Sequence, residues 1–234
     1  MNWNPPEKPA DFTERRLVEA ILQNVYPINS FLPSERELCE QLGVTRPTLR
    51  ETLQRMRQDG WVDIHQGKPT RVRNYLQEGN LNVLNAIANA NAEVSLHVVE
   101  NLLEIRLLLA PAYFMNASQF HPQALIEFLQ TIVPISTDPK EVGYLDWELH
   151  KKAALLSDNP VFLLILNGFD QVYLQMAEKY FHQPAARAAS EAFYRNVLQF
   201  TQQQAFDSVF HCTKEMMQSS IQFWKSSLMN TEEK

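Results

Sequence analysis

Glycine is scarce in this chain, with 6 among 234 residues where average usage near 7 per cent would place roughly 16. Tight hairpins, phosphate-cradling loops and barrel corners all consume glycine, so a nucleotide-binding glycine loop, a large β-architecture and a collagenous repeat are disfavoured together. A mainly helical chain is the expectation. Apolar residues make up 45% and aromatics 10%, which is enough to bury one large core or two smaller ones. The most apolar runs, such as Leu107 to Met115, fall short of the 18 or more residues of a membrane helix. Met1 to Ala10 carries three prolines and no apolar block, unlike a signal peptide. Two distant cysteines, Cys39 and Cys212, form no disulfide framework. These features imply a reducing, cytoplasmic setting with no membrane partner.

The net charge of −6 speaks against nucleic acid only until it is counted by region. Residues 1–78 hold eleven basic and eleven acidic side chains, whereas residues 79–234 hold ten and sixteen. Between Ser34 and Arg73 the balance is eight basic to six acidic, and Ile64 to Tyr75 carries Lys68, Arg71 and Arg73 with no acid.

Local signals organise this first region. A helix is predicted from about Phe12 to Val25, with Asp11 as N-cap and Glu14 completing a capping box. A second begins at Ser34, again with S-x-x-E spacing to Glu37, and Gly43 breaks it. A third is capped by Thr45, turns Leu49, Leu53 and Met56 to a core, and stops at Gly60. Trp61–Ile64 and Thr70–Arg73 then read as strands around a His65–Pro69 turn. Two helices joined by a tight turn and followed by a β-hairpin describe a winged helix-turn-helix.

Arg46 and Arg50 lie four apart on the first turns of the third helix, where such helices meet base edges, and an arginine fork matches guanine O6 and N7. Arg36 and the Thr45 and Thr48 hydroxyls suit phosphates, and the cationic tip Gln66-Gly67-Lys68 suits a groove. The competing reading is a solvated charged face, since these arginines interleave with Glu35, Glu37, Glu40 and Glu51.

Beyond Gln77–Asn80, read as a linker, helical periodicity does not yield to strands again. Seven helices are expected, about 81–90, 94–109, 112–119, 122–132, 140–156, 160–182 and 184–228, with prolines at their boundaries and a break in the last near Gln203 to Phe206. The fold class expected is mainly α: a winged helix-turn-helix over residues 1–76, a linker at 77–80 and an all-helical effector domain over 81–234. A pocket in such a domain lies between helices. Candidate stripes are Leu102, Arg106 and Leu109; Phe169, Tyr173, Met176 and Tyr180; and Met217, Ser220 and Trp224. Ordinary core packing would produce the same spacing.

The motifs LPSEREL at 32–38, LGVTRPTLRE at 42–51, LQRM at 53–56 and DGW at 59–61 closely resemble the DNA-binding domain of the GntR family of bacterial regulators. GKPT at 67–70, NLL at 101–103, LILNG at 164–168 and Tyr180-Phe181 extend the likeness to the family's fatty-acid-responsive branch. That resemblance implies a homodimeric repressor and activator of fatty acid metabolism, not an enzyme, that leaves double-stranded operator DNA when long-chain acyl-CoA binds. It assigns DNA contacts to Arg36, Thr45, Arg46, Thr48, Arg50, Gln66, Gly67, Lys68 and Thr70, and ligand contacts to Leu102, Arg106, Tyr173, Tyr180, Met217, Ser220 and Trp224. No metal and no resident cofactor are implied.

Three positions depart from the branch: Pro47 replaces a threonine, Gln66 takes the place of a histidine, and Met217 stands for a glycine and is expected to narrow the ligand path. Arg106 is the best candidate for the charged end of the ligand, with Lys179, Arg187, Arg195, Lys214 and Lys225 as helpers without motif support. Asp146 and His150, as D-x3-H on one helix face, resemble half of the metal site of related FCD-type regulators. The two further histidines that site needs are missing from the final helices, and His182 and His211 fall outside the spacing. An organic-acid sensor with a metal and an acyl-CoA-acting enzyme are the rival readings.

Overall fold

The computed structural model describes residues 7–90 and 96–229, and the chain divides into two compact units, Met1–Val94 and Ser95–Lys234. Residues 77–80, expected to link the halves, therefore lie within the first unit.

In that unit α1 (Pro9–Leu22), α2 (Glu35–Leu42) and α3 (Arg46–Asp59) are followed by β1 (Val62–Asp63), β2 (Arg71–Val72), α4 (Tyr75–Glu78) and α5 (Asn82–Asn89). The Asp11 capping box does not form, because α1 starts earlier at Pro9, whose missing N–H costs nothing in a first turn. Asp11 and Glu14 instead each take an amino group of Arg55 on α3, both at 3.0 Å. The box at Ser34 is complete: Glu37 N–H donates to Ser34 Oγ, and Ser34 N–H donates to the Glu37 carboxylate. Gly43 (φ 67) and Gly60 (φ 90) end α2 and α3 in the left-handed conformation that glycine adopts without a Cβ penalty.

α1 and α2 both pack on α3. Leu17, Val18, Leu38, Leu49, Leu53, Met56 and Trp61 are all buried, each contributing about 1.5–3 kcal/mol. The strands pair antiparallel with Val62 opposite Val72 and Asp63 opposite Arg71. They are shorter than the predicted runs, since Trp61 N–H closes the end of α3 on the Met56 carbonyl and Thr70 is used by Leu32 N–H. α4 was not foreseen. Its turn into α5 is fastened to the end of α3: Asn80 N–H donates to the Asp59 carbonyl at 3.1 Å, and the Asn80 and Asn82 amides both reach the Asp59 carboxylate.

The second unit contains α6 (Leu96–Phe120), α7 (Pro122–Ile132), α8 (Pro139–Leu155), α9 (Pro160–Asn167), α10 (Asp170–Phe181), α11 (Pro184–Gln202) and α12 (Phe206–Met229). Two boundaries differ from expectation. α6 runs through Pro111 as one 25-residue helix. The lost hydrogen bond there is outweighed by burial of Ala110, Tyr113, Phe114 and Ala117 and by packing along α12. The predicted helix 160–182 divides at Gly168–Phe169, so that Leu166 and Phe169 both reach one cavity. The anticipated break after α11 occurs, with Gln204 left-handed at φ 55. The core centres on Tyr113, Phe114, Leu125, Leu129, Trp147, Leu149, Tyr194 and Val197.

Candidate functional site

The first unit presents its cations from the starts of α2 and α3 and from the wing. Arg36 is 73% exposed and lies 3.9 Å from Glu40. The Thr45 hydroxyl caps α3 and sits 2.9 Å from that of Thr48. Arg46 is exposed and forms no ion pair among the described residues, whereas Arg50 donates from Nε to Glu35 at 2.9 Å. Gln66, Gly67 and Lys68 are exposed at the wing tip, with Gly67 at φ 74, and Thr70 is half-buried below them. Exposed guanidiniums and the Thr45 and Thr48 hydroxyls at the start of α3, on one small unit, can hold phosphates and read base edges. His65 is tied at 2.9 Å to Asp63 at the base of the wing.

The second unit holds a cavity that opens to solvent. Its walls come from α6, α8, α9, α10 and α12. They include Leu102, Arg106, Leu109, Phe169, Tyr173, Met176, Tyr180, Ser220 and Trp224, the three predicted stripes with one omission. Met217 is 2% exposed and belongs to the packed core rather than the wall. Among the described residues Arg106 is the only charged one on the wall. Of the predicted helpers, Arg187 donates to the Phe181 carbonyl and Arg195 pairs with Glu191 at 2.6 Å, and none of the five lines the cavity.

A buried polar cluster underlies the cavity. Arg106 Nη2 lies 3.3 Å from Asp146 Oδ2, and Asp146 also accepts from the Tyr173 hydroxyl and, at 2.5 Å, from that of Tyr194. Burial raises the Asp146 pKa, but Arg106, His150 and the two tyrosines outweigh it, so the carboxyl titrates below its usual range. His150 accepts from Arg106 at Nε2; a guanidinium cannot accept, so Nε2 is unprotonated and Nδ1–H donates to Tyr113. Burial first, and the Arg106 charge second, push His150 down to about 3. Burial pushes Tyr180, which donates to Ser220 at 3.3 Å, up to about 12.

The Arg106 guanidinium carbon stands 5.2 Å from the centre of the Tyr173 ring, which stacks on Trp147 at 4.1 Å. Arg106 Nε–H is buried with no acceptor among the described residues. The D-x3-H pair thus faces a guanidinium: the carboxylate and imidazole that could ligate a cation both bind Arg106. Tyr113 and Tyr194 were missed from sequence, because they reach the cluster from helices 37 and 48 residues away from their partners.

A small winged helix-turn-helix unit with exposed arginines, in one chain with an all-helical unit holding a lined cavity, is the arrangement of a DNA-binding regulator. Residues 9–72 match the model of bacterial regulatory proteins of the gntR family, and residues 73–234 match the FadR C-terminal domain. The chain belongs to the GntR family, with a FadR-type C-terminal domain, and is a transcription regulator rather than an enzyme. A fatty acid metabolism regulator protein of Serratia proteamaculans is 34% identical over 220 residues, 94% of this chain and 92% of the relative. One of Salmonella typhi is 35% identical over 218 residues, 93% and 91% of the two chains. The solved structure of Lar, which controls the agr system of Listeria monocytogenes, superposes with a TM-score of 0.66 at 15% identity, covering 95% of this chain and 99% of that one, a likeness of fold.

Proposed function

We propose that this regulator controls genes of fatty acid metabolism, as a repressor of degradation and an activator of unsaturated fatty acid synthesis, and leaves its operator when long-chain acyl-CoA fills the cavity of the second unit. The observation that carries the reading is the cavity wall: among the described residues it is mainly apolar, with Arg106 its one charge and tyrosine, serine and tryptophan its other polar side chains, in the domain shared with relatives named for fatty acid metabolism. An acyl chain buried there gains about 0.8 kcal/mol per methylene. Arg106 Nε–H and the Tyr180–Ser220 pair supply polar groups among the lining residues.

Arg36, Thr45, Arg46, Thr48, Arg50, Gln66, Gly67, Lys68 and Thr70 are the DNA-contacting set in this reading. A homodimer in the cytoplasm would set two reading heads on half-sites about one helical turn apart. Fluorescence anisotropy of a labelled duplex, selected by the protein from a random library, tests the switch at fixed salt. Oleoyl-CoA is expected to weaken binding at least tenfold; unchanged affinity rejects it as the effector.

A further inference from the structure

We infer that Glu35 is a positioning residue for DNA reading: it holds Arg50 by Nε and thereby presents the outer edge of that guanidinium to a guanine. The inference rests on the assignment of Arg50 as a base reader. A guanidinium has five N–H donors, one on Nε and two on each Nη. Glu35 takes only the Nε donor, at 2.9 Å, and no other ion pair of Arg50 exists among the described residues. The two Nη groups keep the parallel donors that match guanine O6 and N7.

The carboxylate stands on a fixed post, because Glu35 is the first residue of α2 and the Ser34–Glu37 capping box locks the backbone around it. The positive end of the α2 dipole favours an anion there. Arg46, four residues before Arg50, is exposed and has no such partner among the described residues. Arg50 thus enters the encounter with much of its rotamer freedom already spent, and Arg46 does not. An anion beside a phosphate-facing helix repels DNA, so without a positioning role Glu35 would only weaken binding. The pair is exposed, 66% for Arg50 and 41% for Glu35, so its contribution to folding stability is small.

The test uses the full chain and the selected duplex, together with variants in which each base pair of a half-site is changed in turn. Glu35→Ala is expected to lower affinity about tenfold and to erase most of the guanine preference at one position, the same position at which Arg50→Ala erases it. Glu35→Gln keeps most of the preference, since the amide oxygen still accepts from Nε. Glu35→Ala added to Arg50→Ala lowers neither affinity nor base preference any further, and the melting temperature of each variant stays within a degree or two of the parent.

The inference is overturned if Glu35→Ala tightens binding to all duplexes alike, or acts equally with Arg50 absent. If Arg50→Ala leaves every base preference intact, the reader assignment and the inference fall together. If Arg50→Ala relaxes one position and Glu35→Ala does not, only the role of Glu35 falls.

Discussion

His150 is the side chain whose protonation most directly opposes the native arrangement. It is fully buried and faces Arg106 and Tyr113 of α6, Asp146 of its own helix and the Tyr173 ring of α10. An added proton at Nε2 would set a donor against the Arg106 N–H. Its folded pKa of about 3 lies below the ordinary 6.5, so between those values the unfolded chain binds a proton that the folded chain does not. Stability therefore falls as pH drops from 6.5 towards 3, by about 1.4 kcal/mol per unit and about 2 kcal/mol by pH 5. Urea unfolding at pH 7 and pH 5 should show that loss in the parent. It should be much smaller in His150→Gln, whose amide can accept from Arg106 and donate to Tyr113 without titrating. An equal loss in both proteins would place the pH sensitivity elsewhere. From sequence, Asp146 and His150 were visible as a pair on one face, but not that Arg106 stands between them, since helical spacing gives the face of a residue and not what lies opposite. Met217 shows the same limit: it shares the Ser220 and Trp224 spacing, yet the cavity ends before it and it packs into the core.

Elements in this chain are set by their ends. Gly43 and Gly60 both have positive φ, but their surroundings differ. A Cβ at Gly43 meets nothing within 4 Å, whereas one at Gly60 would lie 2.5 Å from the Glu78 carbonyl oxygen and 2.6 Å from Gly79 Cα. Gly43→Ala should therefore cost only the left-handed penalty, about 1–2 kcal/mol. Gly60→Ala should cost more, because the backbone of α4 must move. Urea midpoints of the two variants check the order, and equal losses would show that the 60–79 contact yields freely. The caps at Ser34, Thr45, Gly43 and Gly60 were legible in sequence because each is a local bond or a local φ. Pro111 and Gly168 misled in opposite directions. The core facing α6 overrides a proline, and the path of Phe169 to the cavity wall breaks a run whose periodicity looked continuous.

At the scale of the whole chain, residues 73–90 belong to the FadR-type domain by sequence match and to the first unit by contact. They close on the end of α3 through Asp59, Asn80 and Asn82, so the proposed reading helix and the sequence of the effector domain share one bonded segment. Such a chain can respond to a ligand only if ligand and DNA prefer different states, and linkage then fixes the size of the response in both directions. If oleoyl-CoA weakens operator binding by a given factor, saturating operator must weaken oleoyl-CoA binding by the same factor. A hundredfold effect corresponds to about 2.7 kcal/mol of coupling whichever ligand is titrated. Calorimetric titration of oleoyl-CoA into free protein and into protein saturated with the selected duplex, at one salt concentration, measures one factor. Anisotropy with and without oleoyl-CoA measures the other. Matching factors are the expected outcome. A loss of DNA binding with no reciprocal loss of acyl-CoA affinity would mean that oleoyl-CoA aggregates or denatures the chain instead of shifting an equilibrium between its folded states.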